Sequence, residues 1–359
     1  MNTRADRRAA VKKLKTLVLS PKIEINEYRK AIEKEFSCEM LPAGVECTEQ
    51  DAGGVKYDLL TPVVYASNRI IFYIHGGSFV GGSRSSYRNF CSSLANDASC
   101  RVAVPEYRLA PEHPFPASVD DILTAFRTVY ADEKAAARLE NSAAKEGEDK
   151  LPEYTFGLKD EDEDKKKEEP GANIIIASDG SGASLTLALM FRMTEDQLKS
   201  VKKVVFFSPW LDLSRSSPLL TGRRVYDEVL SGDSMRRASD LYTYDSNSEN
   251  IFISPLKAPP KNFEGFPPFF IQMGEKEILI QQVKQFESLL AQAKVECTLD
   301  IWPDMMYMFQ FADEYLNESH LAVEKAGKEI SKRPEEYEES EEEKSQRQKI
   351  LDRNNIRSE

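Results

Sequence analysis

A chain of 359 residues with 41% hydrophobic side chains can bury one large α/β core or two ordinary ones. Its formal charge of −12 and pI near 5.1 argue against nucleic acid as a main partner. No apolar run approaches the roughly 18 residues of a transmembrane helix, and residues 1–20 lack the apolar core and small-residue cleavage site of a secretory signal.

Residues 1–36 read as helical and charged. Val11, Leu14, Leu17 and Val18 recur at helical spacing beside a basic set, Arg4, Arg7, Arg8, Lys12, Lys13 and Lys15. The expectation is a cap packed over a pocket, and the other reading is a helix lying on a membrane surface. Residues 45–66 read as two strands around Gly53-Gly54. The continuous apolar run Ile70–Ile74 predicts a buried central strand that ends in His75-Gly76-Gly77-Ser78-Phe79. A strand over Arg101–Tyr107 leads into Arg108-Leu109-Ala110-Pro111-Glu112-His113-Pro114-Phe115-Pro116. Ser118 is then expected to cap a helix with Val119, Ile122, Leu123, Phe126 and Val129 on one face. Residues 133–170, which include Asp160–Asp164 and Lys165–Lys167, carry too much charge to bury surface and are expected to form a solvated, disordered insertion.

The stretch Ile174-Ile175-Ile176-Ala177-Ser178-Asp179-Gly180-Ser181-Gly182 gives a strand, a tight turn of small residues and then an apolar helix. That is the shape of a nucleophile elbow, whose motif is G-x-S-x-G, but glycine stands at the apex here. Further strands are expected over Lys203–Pro209, Phe269–Gly274 and Cys297–Pro303. Residues 216–262 are less regular. Leu279, Val283, Phe286, Leu289 and Leu290 mark a helix, and a charged helix is expected over about 308–331. Strands alternating with helices predict a mostly parallel central sheet covered by helices on both faces. The expected organisation is a helical cap segment 1–44, one α/β domain 45–331 and a charged tail 332–359. Five scattered cysteines, Cys38, Cys47, Cys91, Cys100 and Cys297, show no metal-type spacing. They predict thiols in a reducing, cytoplasmic compartment, with no metal or cofactor.

These motifs together carry a resemblance. Tyr73-Ile74-His75-Gly76-Gly77, Tyr107–Ala117, Ser208-Pro209-Trp210-Leu211-Asp212, Ser254-Pro255-Leu256 and Trp302-Pro303-Asp304-Met305 stand in one order and spacing. In them the chain resembles the hormone-sensitive-lipase-like branch of the α/β-hydrolase fold, which includes bacterial carboxylesterases and the plant gibberellin receptors. The resemblance spans roughly residues 40–330. It implies an oxyanion hole built from the N–H groups of Gly76, Gly77 and Ser181, with His75 and Asp179 as motif residues. It places Gly180 at the nucleophile position, Glu277 at the acid position and Tyr307 at the position of the base histidine.

Two departures bear on activity. Gly180 has no nucleophilic side chain, and a phenol with an ordinary pKa of about 10 cannot accept a proton as imidazole does. Of the remaining histidines, His75 belongs to the oxyanion loop, His113 to a loop motif and His320 to the charged helix. The leading expectation is a pseudo-hydrolase that binds a small, mostly apolar molecule bearing an acyl carbonyl or a carboxylate. The alternatives are an ester hydrolase using Ser181 and a scaffold protein whose charged insertion and tail contact a partner. A homodimer is open as well. Glu277 is expected to hydrogen-bond the Tyr307 hydroxyl.

Overall fold

The computed structural model describes residues 3–38, 40–66, 68–148, 171–221 and 227–332. The hairpin expected at Gly53-Gly54 is present: β1 (Val45–Ala52) pairs antiparallel with β2 (Val55–Pro62). The apolar runs form β3 (Ile70–Ile74), β4 (Arg101–Pro105), β5 (Ile174–Asp179), β6 (Val201–Phe207), β7 (Phe269–Gly274) and β8 (Cys297–Trp302). They join one sheet of eight strands in the order β1-β2-β4-β3-β5-β6-β7-β8, parallel from β4 to β8. Every residue of β3, β5 and β7 is buried, so both faces of the sheet centre are covered, as unbroken apolar runs require.

The N-terminal residues form α1 (Arg4–Leu14), a short 3₁₀ turn and α2 (Ile25–Phe36). The covering helices are α3 (Arg84–Ala98), α4 (Ala117–Glu148), α5 (Gly182–Met190), α6 (Glu195–Ser200), α7 (Pro218–Thr221), α8 (Gly232–Tyr242), α9 (Ile280–Gln292) and α10 (Asn317–Ser331). The partnerships α3 with α10 and α4 with α5 separate the two helical layers. The apolar side chains expected on one face of α4, from Val119 to Val129, are all buried, and Phe126 meets Phe72 of β3 edge to face at 5.5 Å.

The structure corrects four local expectations. Helix α4 runs through Glu148, well into the segment expected to be disordered. Alanines at 131 and 135–137 favour helix there, and Glu133 is buried against Arg101 at 2.9 Å. The remainder of that insertion, 149–170, and the tail from 333 lie outside the described residues. Ser118 is not a cap: α4 starts at Ala117, directly after Pro116, and the Ser118 hydroxyl lies 3.5 Å from that of Tyr242. Helix α10 starts at Asn317, because Met308 turns left-handed (φ 59°) and a 3₁₀ turn follows. Helix α3 was not expected at all. Its signal is Ser83, whose hydroxyl accepts the Ser86 N–H at 3.1 Å in a capping box.

Candidate active site

The site sits where parallel strands β3, β5, β6 and β7 end. His75 follows β3 and is fully buried, its ring stacked between Tyr107 (4.3 Å) and Tyr87 (5.0 Å). Its Nδ1 lies 2.8 Å from the Gly76 carbonyl, and the Tyr107 hydroxyl donates to the His75 carbonyl at 2.5 Å. Burial lowers its pKa to about 4, so the ring is neutral and fastens the loop. At Gly77 φ is +100°, and a Cβ would stand 2.2 Å from the Gly81 carbonyl oxygen, so only glycine fits.

Asp179 ends β5 and is 1% exposed. Its carboxylate accepts from the Tyr73 hydroxyl (2.9 Å), the Tyr87 hydroxyl (3.0 Å) and the Gly76 N–H (2.9 Å). Burial pushes its pKa up to about 7, while these donors pull it down. The Gly76 N–H is thus engaged by Asp179 and is not presented to a ligand, which removes it from the expected set of oxyanion donors. Gly77 and Ser181 keep N–H groups for which no acceptor stands among the described residues.

Gly180 forms the elbow in a left-handed conformation (φ +45°). Its N–H donates to the Phe207 carbonyl (3.0 Å), and its carbonyl accepts from the Trp210 N–H (2.9 Å). A Cβ on Gly180 would come within 2.4 Å of the Tyr307 hydroxyl oxygen. The phenol therefore occupies the space into which a nucleophilic side chain would project. Ser181 is 1% exposed and its Oγ accepts the Phe79 N–H at 3.3 Å, tying the elbow to the glycine loop.

The expected bond between Glu277 and Tyr307 does not form. Glu277 follows β7, and its Oε1 accepts from the Ser208 hydroxyl (2.8 Å) and the Gly274 N–H (2.5 Å), while Oε2 has no partner. Tyr307 reaches past it to Gly180. Burial raises the Glu277 pKa well above the carboxylate range, against the pull of the Gly274 N–H and the Ser208 hydroxyl. Burial, reinforced by Asp179 and Glu277, likewise raises the Tyr307 phenol. His113 and His320 are both exposed, and His320 sits beside Asp97 and Glu324 on the α3–α10 side. No histidine is bonded to Gly180, Ser181 or Glu277 among the described residues.

The N-terminal segment packs beside the glycine loop. The Leu19 N–H meets Ser78 Oγ at 3.5 Å, and Tyr28 donates to the Leu17 carbonyl at 2.8 Å. Arg29 donates to the Val80 carbonyl (2.8 Å) and the Ala110 carbonyl (2.9 Å). Arg7 pairs with Glu228 at 2.6 Å and donates to the Asp304 carbonyl at 3.0 Å. Sequence reasoning missed Tyr87 and Ser208 as supports. Only the hydroxyl at each position hints at such a role, and tertiary contact decides it. No group of three or more His, Cys, Asp or Glu side chains among the described residues is placed to hold a metal.

Comparison with known proteins agrees with this fold. The α/β hydrolase fold family matches residues 71–311. The chain is 27% identical over 259 residues to an acetyl-hydrolase of Streptomyces hygroscopicus, covering 72% of this chain and 74% of that one. It is 28% identical over 259 residues to an esterase of Acinetobacter venetianus, covering 72% and 73%. A solved hormone-sensitive lipase from a metagenome library superposes with a TM-score of 0.70 at 28% identity, over 90% of this chain and 97% of that one. An esterase of the bacterial hormone-sensitive lipase family superposes at 0.71 with 22% identity, over 92% and 99%, which speaks to fold alone. From strand order, elbow and loop together, the chain belongs to the α/β-hydrolase fold family, in its hormone-sensitive-lipase-like branch.

Proposed function

We propose that this protein is a pseudo-hydrolase that binds a small, mostly apolar ligand through a carbonyl or carboxylate group and does not cleave it efficiently. One observation carries the reading: the Tyr307 hydroxyl fills the space above Gly180 where a nucleophile would stand. Tyr307 and Gly180 are thereby coupled. A serine at 180 and a tyrosine at 307 compete for one volume, so neither family residue can return alone without a clash or a missing partner. The polar cradle is the N–H of Gly77 and the N–H of Ser181, with the phenol O–H as a third donor. Fixed donors of this kind bind an acceptor oxygen in a dry site.

Cleavage would need an activated nucleophile. Ser181 has its hydroxyl turned to Phe79 N–H and has no imidazole in contact. What remains of catalysis in a hydrolase stripped of its triad is on the order of 10³–10⁴ over water. The relatives named as esterases set the competing outcome, an active enzyme with an unusual nucleophile.

The test is a reversion series on short-chain p-nitrophenyl esters. The native chain, Gly180→Ser and Tyr307→His should each give negligible turnover. The Gly180→Ser/Tyr307→His pair should give measurable turnover, because imidazole is shorter than phenol and can turn its second nitrogen to Glu277. Rapid hydrolysis by the native chain, with fluorophosphonate labelling of Ser181, would replace this reading with the enzyme.

A further inference from the structure

The chain as a whole is acidic, yet α1 carries a basic stripe that the fold leaves unused. Arg4, Arg8, Lys12 and Lys15 are all exposed, and none has an ion-pair or hydrogen-bond partner among the described residues. At about 100° per residue they fall within about 80° of one another on the helix, along roughly 16 Å of its axis. The opposite side of the same segment is spent on the fold. Ala10, Leu14 and Leu17 are buried, Lys13 pairs with Glu314, and Arg7 pairs with Glu228. Asp6, the acid on α1, lies away from the stripe and is taken by Thr3 in the helix cap. Insertion of an apolar helix face into lipid is therefore ruled out for α1, because that face is already packed. Attraction of charge remains.

The stripe has a defined position. The segment that follows α1 reaches the site's glycine loop, where the Leu19 N–H meets Ser78 Oγ at 3.5 Å, and Arg7 of α1 donates to the Asp304 carbonyl beyond β8 at 3.0 Å. Arg4 and Arg8, with Val11, wall a shallow cavity of about 280 Å³ whose far side is Arg7 and Glu228.

We infer that the Arg4–Arg8–Lys12–Lys15 stripe docks this protein on an anionic phospholipid surface. A planar negative surface meets all four side chains at once. Charged lipid attracts each basic residue held near it, within a Debye length of about 10 Å at moderate salt. The inference does not depend on whether esters are cleaved, and its test does not read hydrolysis.

The test is co-sedimentation of the full chain with vesicles of phosphatidylcholine alone or with about 30 mol% phosphatidylserine, a strongly negative surface. The native chain should bind only the charged vesicles and be released as salt rises. Reversing the stripe (Arg4→Glu, Arg8→Glu, Lys12→Glu, Lys15→Glu) should weaken binding by at least about tenfold. A control with the same change of charge on other exposed lysines (Lys202→Glu, Lys261→Glu, Lys284→Glu, Lys294→Glu) should keep most of it. Equal losses in the two variants would overturn the proposal, as would no binding at low salt by a chain shown to be folded. Binding that appears only after removal of residues 333–359 would overturn it as well, because the stripe would then serve the chain's own acidic tail.

Discussion

The two halves of the candidate active site are built to different standards. On the loop side, Asp179 and His75 Nδ1 are bonded to Tyr73, Tyr87, Tyr107 and Gly76, and of these groups His75 Nε2 alone has no partner among the described residues. On the elbow side, Gly180 has no side chain, Glu277 keeps an orphaned oxygen and Tyr307 fills the space between. The difference teaches that an intact His-Gly-Gly loop is weak evidence of catalysis. Removing any member of the loop network would strand buried polar groups, so folding alone is reason enough to keep it. The elbow side supports little else, and there glycine and tyrosine stand where the resemblance places a nucleophile and a base.

The sharpest way to break this comparison is Asp179. Asp179→Ala strands two tyrosine hydroxyls and the Gly76 N–H, and should cost about 3 kcal/mol or more in urea denaturation. If it costs under about 1 kcal/mol, the loop side is not held together as described. Asp179→Asn isolates the charge. With a folded pKa of about 7 against about 4 unfolded, the folded state holds a proton there that the unfolded chain has released. Stability from this group therefore falls as pH rises from about 4 to about 7. The buried His75 acts the other way, losing stability as pH falls below the unfolded value of about 6.5. Relative to the native chain, Asp179→Asn should tilt the pH dependence upward by about 1.4 kcal/mol per pH unit over that window.

Next in size is the elbow. Gly180→Ser imposes a left-handed serine and a clash with Tyr307, and should destabilise by about 1–3 kcal/mol. In a Tyr307→His background that penalty should shrink, giving a double-mutant coupling of about 1 kcal/mol or more. Additive effects would show that the two positions do not share one volume.

Smaller still is Glu277→Gln. The amide carbonyl can keep the bonds from Ser208 and Gly274. The raised carboxyl pKa means that the native chain loses stability as pH rises above the unfolded value of about 4.3, a loss that glutamine abolishes. The variant should match the native chain near pH 4 and exceed it by a margin that widens as pH rises toward 8. A native-like pH profile for the glutamine variant would mean that Glu277 is ionised in the fold. The smallest effect belongs to Ser181→Ala, which loses one long bond from Phe79 N–H. It should shift stability by under about 1 kcal/mol and leave any basal ester turnover unchanged.

Much of the fold was legible along the chain. The unbroken runs Ile70–Ile74, Ile174–Ile176 and Phe269–Met273 announced buried parallel strands, because burial on both faces removes the need for polar alternation. Gly180 and Tyr307 stood out because chemistry demands other residues at those places. The failures were of two kinds. Helix α4 overran its predicted end because one buried ion pair, Arg101 with Glu133, absorbs charge that composition assigns to solvent. The partner of Glu277 was misassigned because Ser208 lies on a different strand end, and nothing in the linear order brings 208 and 277 together.

The order of residues by itself determined the family of folds, the strand–turn–helix at Gly180, and that glycine and tyrosine stand where the resemblance places a nucleophile and a base, since these follow from local periodicity and motif order. Only the folded arrangement decided that the Gly76 N–H belongs to Asp179 and that Tyr307 stands over Gly180. It alone packed one side of α1 toward the turn at Phe309–Phe311 and left its basic side in water. Those outcomes depend on which groups meet in a shared volume of low dielectric, and such meetings are made by the sheet and its crossovers.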